Sequence, residues 1–355
     1  MVHLPAHSQR CAITETSMKY LITGGVGFIG SHLCEALLQA GHAVTAIDDL
    51  STGRMSNIAH LQAHPQFHVV VESITNAAVM DRLGSECDLI VHLAAAVGVE
   101  LILHSPVHTI ETNVMGTDAV LRTARRYQKK TLIASTSEIY GKTEKVPFAE
   151  DDDTVMGSTK RSRWAYAASK ALDEFLALAY HREMGLPVVV FRLFNTIGPR
   201  QRGRYGMVVP RFVKQALAGQ DITVYGDGAQ SRCFCDVRDV VRALTGLADS
   251  AAAVGEVYNV GTQDEITVVE LARKIKQMTA SKSRIVLVPY EQATGEGFED
   301  MRRRVPDTGK LQRLLHWQPQ LNLEQTLNDM IDHARVEGQS DTISQRAAPG
   351  AVVVG

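Results

Sequence analysis

The chain has 355 residues, of which 45 % are hydrophobic and 21 % are charged, an ordinary balance for a globular protein. Its 37 Lys and Arg residues nearly match its 39 Asp and Glu residues, and the net charge of −2 gives no electrostatic reason to expect nucleic acid or an acidic membrane as a partner. This length predicts two domains, or one large α/β unit with an additional lobe.

Residues 1–17 contain no apolar stretch typical of a secretory signal, so we interpret them as a polar tail. The most apolar stretch, 89–103, is interrupted by His92 and Glu100 and is shorter than the roughly 18–20 uncharged residues that a transmembrane helix requires. The five cysteines are an odd number without zinc-site spacing. We therefore expect reduced thiols, no bound metal, no membrane insertion and a cytoplasmic location.

Short apolar runs alternate with amphipathic stretches through the first half of the chain. Strands are predicted at 19–23, 43–47, 67–71, 89–92, 131–134 and 188–191, and helices at 31–40, 107–127 and 164–184. Alternation of this kind predicts an α/β fold of the Rossmann type, a doubly wound parallel sheet with helices on both faces.

After about Phe194 the alternation becomes irregular, and Gly, Pro and Arg cluster at 198–206. A helix is predicted near 208–218, and further elements at 257–259, 267–278, 284–288 and 323–334. We therefore predict a Rossmann domain over 18–193 and a smaller C-terminal lobe over 194–335, some of whose segments return to the sheet. A flexible tail is predicted over 336–355.

The first predicted strand leads directly into a glycine-rich turn and then a helix. Gly24, Gly27 and Gly30 form G-x-x-G-x-x-G, and with Phe28 and Ile29 they are the predicted cofactor-binding residues of the turn. The glycines permit a tight turn and let backbone N–H groups approach a pyrophosphate at the helix N-terminus.

An acidic pair follows the second predicted strand. Asp48 lies 24 residues after Gly24, close to the spacing of a carboxylate that holds the adenosine ribose hydroxyls, and the adjacent Asp49 is a second candidate. Because a carboxylate there would repel a 2′-phosphate, we predict NAD and not NADP as the cofactor.

Tyr166 and Lys170 form a Y-x-x-x-K run in a predicted helix, so the phenol and the ammonium group lie on one helix face. A nearby ammonium group and the nicotinamide charge would favour the phenolate and lower the pKa of Tyr166 towards the range of a general base. Thr136 and Glu138 follow another predicted strand, at the sheet edge where open α/β folds bind ligands. Thr136 is a candidate for hydrogen bonding to a substrate hydroxyl, and Glu138 for acid or base chemistry.

With these motifs, the sequence resembles the extended short-chain dehydrogenase/reductase family, specifically its NAD-dependent nucleotide-sugar epimerases, dehydratases and decarboxylases. The resemblance runs from about Met18 to Ala334. The matching segments are TGGVGFIG (23–30), DDLSTG (48–53), HLAA (92–95), TNVMGT (112–117), STSEIYG (135–141), YAASK (166–170), FRLFNTIGPR (191–200), VYGDGAQSRCFCDVRDV (224–240) and YNVG (258–261).

The resemblance implies a role for each matching catalytic residue. Tyr166 would remove the proton from the sugar C4 hydroxyl while NAD accepts the C4 hydride. Thr136 would hydrogen-bond the C4 oxygen, and Lys170 would hold the nicotinamide ribose and tune Tyr166. Asn113 would lie near the cofactor.

The resemblance also implies where the nucleotide sugar binds. Asn195 would contact the diphosphate or the sugar, and Arg232 would pair with the diphosphate, for which the planar guanidinium is well suited. Arg304 is a second candidate for that pairing, and Ser137 is assigned to the substrate site as well.

Three residues bear on which nucleotide-sugar reaction is catalysed. A Glu at position 138 resembles the decarboxylases and the GDP-mannose dehydratases. Arg163-Trp164-Ala165-Tyr166 resembles the R-W-x-Y run of bacterial UDP-glucuronate decarboxylases, and a guanidinium one helical turn before Tyr166 is suited to a substrate carboxylate. Arg304-Val305-Pro306 resembles the R-K-P of decarboxylases, with Val replacing Lys.

The leading prediction is therefore decarboxylation of UDP-glucuronate, to UDP-xylose or its 4-keto intermediate. The alternatives are a UDP-hexose or UDP-uronate 4-epimerase and then a 4,6-dehydratase. A hypothesis of a different class is a protein that senses NAD without catalysis, because fold alone does not establish activity. The resemblance also implies a homodimer formed through a pair of helices.

Overall fold

The computed structural model describes residues 17–98, 105–203, 207–290, 292 and 301–346, and for 338–346 the backbone alone is described. A central sheet of seven strands has the order β3-β2-β1-β4-β5-β6-β11, and every pairing within it is parallel. Its strands are β1 Lys19–Thr23, β2 Ala43–Asp48, β3 Phe67–Val71, β4 Leu89–His92, β5 Lys130–Thr136, β6 Val188–Leu193 and β11 Val257–Val260. This confirms the predicted α/β fold with a doubly wound parallel sheet.

Helices cover both faces of the sheet, which is why its strands are almost continuously apolar. In β6, for example, Val188 to Phe191 are all buried. Two buried clusters lie on opposite faces, one beneath α1 and α6 and the other beneath α2, α3 and α4. These helices are α1 Phe28–Gln39, α2 Ala77–Glu86, α3 Pro106–Tyr127, α4 Ala165–Met184 and α6 Val237–Asp249.

The first helix begins three residues earlier than the apolar spacing predicts. It starts at Phe28, directly after Gly27, so the last part of the glycine motif forms its first turn. The strand predicted at 131–134 extends to Thr136, so that Thr136 lies opposite Leu193 at the carboxyl edge of the sheet. Both differences bring predicted site residues to the ends of regular elements.

The second half of the chain builds a smaller lobe with its own apolar core, which includes Phe212, Val224, Leu271 and Ile331. Its elements are β7 Thr196–Ile197, α5 Val208–Leu217, β8 Ile222–Tyr225, β9 Ser231–Cys233, β10 Cys235–Asp236, β12 Glu265–Thr267, α7 Val268–Met278, β13 Ile285–Val288 and α9 Leu323–Arg346. Two elements of this half return to the central sheet: strand β11 joins it with Val257 opposite Val190, and helix α8 Gly309–Leu315 packs against β11 and α6. Strand β8 pairs with β13, β9 with β12, and β7 with β10.

The C-terminal helix is longer than predicted. Helix α9 continues to Arg346, beyond the expected end of the lobe at 335 and into the predicted flexible tail. Residues 335–346 contain no proline and a single glycine, Gly338, so the sequence has no strong helix breaker there. The remainder of that tail, and residues 1–16 of the N-terminal one, lie outside the described residues.

Candidate active site

A cavity of about 1450 Å³ lies at the carboxyl edge of the sheet and extends into the smaller lobe. It includes the place between β1 and β4 where the strand order reverses, which is where doubly wound folds bind their ligands. The predicted site residues that line it are Gly24, Gly27, Phe28, Ile29, Gly30, Asp48, Asp49, Thr136, Ser137, Glu138, Arg163, Tyr166, Lys170, Asn195, Arg232 and Arg304.

The glycine turn is too tightly packed for side chains. Gly24 has a left-handed backbone with φ of +68°, and a Cβ on it would lie 2.9 Å from the backbone nitrogen of Ala94. A Cβ on Gly30 would lie only 2.2 Å from the carbonyl oxygen of Gly24. The turn therefore presents bare backbone at the start of α1, a geometry suited to a pyrophosphate.

Asp48 ends β2 at the same edge of the cavity. Its Oδ1 accepts a hydrogen bond from the backbone N–H of Leu50 at 2.9 Å, and its Oδ2 accepts one from Val26 at 3.1 Å. These bonds fix the carboxylate and leave lone pairs for ribose hydroxyls. The exposed Asp49 accepts a hydrogen bond from Ser51 instead. The bare glycine turn and the oriented carboxylate together fit the predicted dinucleotide.

Asn113 is the predicted cofactor residue that does not line the cavity. Its Oδ1 accepts a hydrogen bond from the backbone of Ala96 at 2.9 Å, and its amide donates to the hydroxyl of Ser169 at 3.1 Å. Asn113 therefore lies behind the cavity wall and ties the segment after β4 to helix α4.

Thr136 and Tyr166 both line the cavity, and the Thr136 hydroxyl acts to lower the pKa of the Tyr166 phenol. Thr136 caps the short helical turn Ser137–Tyr140, because its hydroxyl accepts from the backbone N–H of Glu138 at 3.2 Å. Tyr166 and Lys170 occupy successive turns of α4, as the Y-x-x-x-K spacing predicts.

The pKa of Tyr166 moves in the opposite direction from our expectation. Burial of the phenol and then the negative charge of Glu138 raise the pKa of Tyr166 well above its usual range. The ammonium group of Lys170 is bound to the carboxylate of Asp173 at 2.6 Å, so its positive charge is largely offset. Burial is the largest cause of this rise, and the predicted lowering, which also counted the nicotinamide charge, stays a prediction for the enzyme with NAD bound.

Glu138 lies between two arginines. Its Oε2 accepts from Arg163 and its Oε1 lies 3.0 Å from the guanidinium of Arg304. Burial acts to raise the pKa of Glu138, but the charges and hydrogen bonds of the two arginines prevail and lower it to about 2. Glu138 is therefore ionised near neutral pH, and the three side chains carry a net charge of +1 at the cavity wall.

Two segments distant in sequence hold this cluster together. Arg163 belongs to the helical turn Ser162–Trp164 before α4, not to α4 itself. The backbone around Arg304 is fixed by Phe148, whose N–H donates to the carbonyl of Val305 and whose carbonyl accepts from Asp307, both at 2.8 Å. Phe148 was not predicted as a site-supporting residue, since no motif marks it.

The remaining predicted substrate residues lie where the cavity enters the smaller lobe. Asn195 donates to the carbonyl of Cys233 at 3.0 Å, and Arg232 donates to that of Ser231 at 2.7 Å. Sequence reasoning missed Arg211 and Tyr225, which also line the cavity, with the guanidinium 3.7 Å from the ring centroid. Their positions on α5 and β8 bring them together only in the fold.

Within the described ranges, no helix is long and apolar enough to cross a membrane, and no group of His, Cys, Asp and Glu side chains could hold a metal ion. The four cysteines in those ranges are all buried as free thiols.

Residues 21–330 match a family model described as GDP-mannose 4,6-dehydratase. A UDP-N-acetyl-α-D-glucosaminuronate decarboxylase of Bacillus cytotoxicus is 42 % identical over 89 % of this chain and 97 % of its own length. UDP-glucuronic acid decarboxylase 1 of Danio rerio is 38 % identical over 89 % of this chain and 72 % of its own length.

Among solved structures, the UDP-glucuronic acid 4-epimerase of Bacillus cereus, in complex with UDP-glucuronic acid and NAD, superimposes with a TM-score of 0.82. It is 27 % identical, and the match covers 90 % of this chain and all of that one. The likeness thus extends over both the sheet and the smaller lobe.

Proposed function

The chain belongs to the GDP-mannose 4,6-dehydratase family within the extended short-chain dehydrogenases/reductases, as an NAD-dependent nucleotide-sugar enzyme, and from that premise we propose that it decarboxylates a UDP-linked uronate. UDP-glucuronate is the leading substrate, and the C2 acetamido form is included because a relative of 42 % identity is named for it.

The observation that carries this proposal is the cluster of Glu138, Arg163 and Arg304. Its net charge of +1, buried beside Tyr166, is suited to a substrate group of charge −1. A uronate carries such a group at C6, next to the carbons at which the chemistry occurs, whereas a neutral hexose has a hydroxyl there. The cluster therefore favours a carboxylated sugar over UDP-glucose.

The residues at the cavity centre are arranged for chemistry at the sugar C4 hydroxyl. Tyr166 accepts the hydroxyl proton, and Thr136, which lines the cavity with it, positions the C4 oxygen. Bound NAD supplies the hydride acceptor that makes C4 a ketone. Burial and Glu138 raise the pKa of Tyr166, and the positive charge of the nicotinamide ring acts in the opposite direction and favours the phenolate.

A ketone at C4 is β to the C6 carboxylate, which makes loss of CO2 possible. The C5–C6 bond breaks, its electron pair moves towards the C4 oxygen, and the carboxylate leaves as neutral CO2. Tyr166 and Thr136 hydrogen-bond the oxygen that gains the charge. Arg304 and Arg163 orient the substrate carboxylate. Because ionised Glu138 offsets part of their positive charge, they bind that carboxylate less tightly than a full ion pair would, and its loss as neutral CO2 is opposed less.

The other predicted site residues complete the binding of the two ligands. We assign Gly24, Gly27, Phe28, Ile29 and Gly30 to the NAD pyrophosphate, Asp48 with Asp49 to its adenosine ribose, and Lys170 to its nicotinamide ribose. Ser137, Asn195 and Arg232 are assigned to the sugar and diphosphate, with the Rossmann domain at 18–193 binding NAD and the lobe at 194–335 binding the substrate. Asn113 supports the NAD site from behind the cavity wall.

Incubation of the purified enzyme with UDP-glucuronate and NAD tests the proposed reaction by mass spectrometry and proton NMR. Loss of CO2 with pentose signals is the expected result. An unchanged mass with galacturonate signals would identify a 4-epimerase. If UDP-glucuronate is unchanged while the C2 acetamido uronate loses CO2, the substrate assignment moves within the same reaction. If no uronate reacts, the decarboxylase proposal fails and UDP-glucose and GDP-mannose become the next substrates to test.

Replacing Gly30 with Ala is expected to weaken NAD binding by about 10- to 100-fold. The added Cβ overlaps the carbonyl of Gly24 and displaces the turn, which removes one or two charge-assisted hydrogen bonds to the pyrophosphate. Calorimetric titration with NAD measures the effect. Gly185→Ala is the control. The backbone of Gly185 has a positive φ of +66°, but nothing lies within 4 Å of its Cβ position, so the added methyl group overlaps no other atom. Equal NAD affinity of the Gly30→Ala variant and the unchanged enzyme would contradict the assignment.

We also propose a homodimer formed through α3 and α4. The two helices pack against each other, and their outer faces expose Val107, Ile110, Met115, Leu172 and Phe175, the last with 70 % of its surface accessible. Phe175→Glu is expected to convert the dimer to a monomer, because it buries an unpaired charge in an apolar contact. Light scattering measures the mass. Phe175→Leu, which keeps the site apolar, should remain dimeric, and a monomeric unchanged protein would refute the proposal.

A further inference from the structure

Lys170 is paired with a carboxylate that the sequence motifs do not mark. Its ammonium nitrogen lies 2.6 Å from Oδ2 of Asp173, and the two side chains are 3 % and 0 % exposed. The residues are three positions apart on α4 and therefore share a helix face. Lys170 lines the cavity and Asp173 does not, so the carboxylate lies behind the ammonium group.

A buried hydrogen-bond chain begins beside the glycine turn at Thr23 and ends at Thr117, whose hydroxyl acts on Asp173. The hydroxyl oxygen of Thr23 accepts from the backbone N–H groups of Leu93 and Ala94, both at 3.2 Å. Because its acceptor positions are filled, its own proton points to Nδ1 of His92 at 2.8 Å.

His92 continues this hydrogen-bond chain in the same donor-to-acceptor direction. Burial and the charge of Lys170 lower the pKa of His92 to about 3, so the ring is neutral and carries one proton. Since Nδ1 accepts from Thr23, the proton lies on Nε2 and is donated to the hydroxyl of Thr117 at 3.1 Å. Burial raises the pKa of the Asp173 carboxyl group, and the Thr117 hydroxyl acts against this rise. The bonds from Thr23 through His92 to Thr117 thus donate in the direction of Asp173.

We propose that Asp173 is a positioning residue for Lys170, because its buried carboxylate holds the ammonium group at the cavity wall. The inference deepens the proposed function, on which it rests only for the role of Lys170 in NAD binding.

The other titratable groups near Lys170 are neutral or paired elsewhere, so Asp173 is its counter-ion. On α4 itself, Tyr166 is neutral and Glu174 is held by Arg192, whose guanidinium lies 2.8 Å from it. From β4, His92 is neutral. Across the cavity, Glu138 is held by Arg163 and Arg304. Asp173 is the carboxylate in contact with the ammonium group in the part of the chain that the structure describes.

Replacing Asp173 with Asn tests the proposal on the enzyme without ligands. Asn keeps the shape of the side chain but removes its charge. The probe is 13C at Cε of lysine, with the Lys170 signal assigned by its loss in Lys170→Met. We expect this signal to shift and broaden in Asp173→Asn relative to the unchanged enzyme, because the ammonium group loses the charge that fixes it. The affinity for NAD alone, measured by calorimetry, should fall in the variant.

Glu174→Gln is the matched control, because it also removes a buried carboxylate from α4, but one that pairs with an arginine. It should lower the melting temperature and leave the Lys170 signal unchanged. Thr117→Val, which removes only the hydroxyl that acts on Asp173, should shift the signal in the same direction by a smaller amount and serves if Asp173→Asn does not fold. An unshifted Lys170 signal in the folded variants would overturn the proposal. Because no sugar substrate is used, that failure is distinct from failure of the decarboxylase proposal.

Discussion

Tyr166→Phe is expected to lower the turnover rate by about 10²- to 10⁴-fold, the range that one positioned acid–base group contributes. The ring stays in its place in α4, but the hydroxyl that we propose as the acceptor of the C4 hydroxyl proton is lost. NAD affinity should change by less than about tenfold, the factor that corresponds to one ordinary hydrogen bond. Steady-state kinetics and calorimetric titration with NAD measure the two quantities.

This variant also separates the enzyme from a protein that senses NAD without catalysis. An enzyme loses turnover and keeps NAD binding, whereas a sensor has no turnover to lose. Tyr127→Phe is the control, because Tyr127 lies at the end of α3 and does not line the cavity. A Tyr166→Phe variant with turnover within a factor of about ten of the unchanged enzyme would remove Tyr166 from the proton transfer.

Local patterns in the sequence predict the parts of the site that are local in the chain. The glycine turn is contiguous between β1 and α1, and the Y-x-x-x-K spacing places two side chains on one helix face by geometry alone. The strand periodicity identified β3 and β4 with their observed ends, because each is a short, mostly apolar run that begins after a polar residue, Gln66 or Asp88. These features need no tertiary information.

Contacts between segments that are distant in the chain could not be predicted from the sequence. Glu138 was identified as a functional group, but its ionisation depends on Arg163 and Arg304 both reaching it, and the position of Arg304 depends on a backbone contact with Phe148. The motif also does not show that Tyr166 and Asp173 are buried, and burial raises the pKa of Tyr166 in the chain without ligands. A carboxylate three residues from a lysine on a helix is ordinarily a solvated pair, and only the fold buries this one.

Glu138→Gln is expected to lower the rate of CO2 release by about 10²-fold or more, since the two arginines lose the carboxylate that orients them, and misplacement of about 1 Å can cost that much. The cluster charge rises from +1 to +2, so binding of the uronate should be as tight as before or tighter. The rate constant for CO2 release then falls while KM does not rise. Oxidation at C4 should persist and is measured as NADH absorbance in a single turnover, with CO2 release followed separately.

The pH dependence distinguishes this positioning role from general acid catalysis by Glu138. A general acid at that position would produce a limb in the rate profile near neutral pH that disappears in Glu138→Gln. With its pKa lowered to about 2, Glu138 keeps its charge as the pH falls through the range of ordinary carboxyl groups, and its ion pairs are lost only near pH 2. Both enzymes should therefore share the same limbs between about pH 5 and 9, differing in rate alone.

Glu265→Gln is the matched control for Glu138→Gln. Glu265 pairs at 2.8 Å with Arg303, the neighbour of Arg304 in the sequence, but does not line the cavity. It should leave both CO2 release and C4 oxidation unchanged. Normal CO2 release in Glu138→Gln would show that the arginines hold their positions without it, and would withdraw the role proposed for the cluster. Equal loss of both steps would instead place Glu138 in C4 oxidation, where its charge acts on Tyr166. Loss of CO2 release alone is the result that the geometry of the cluster predicts.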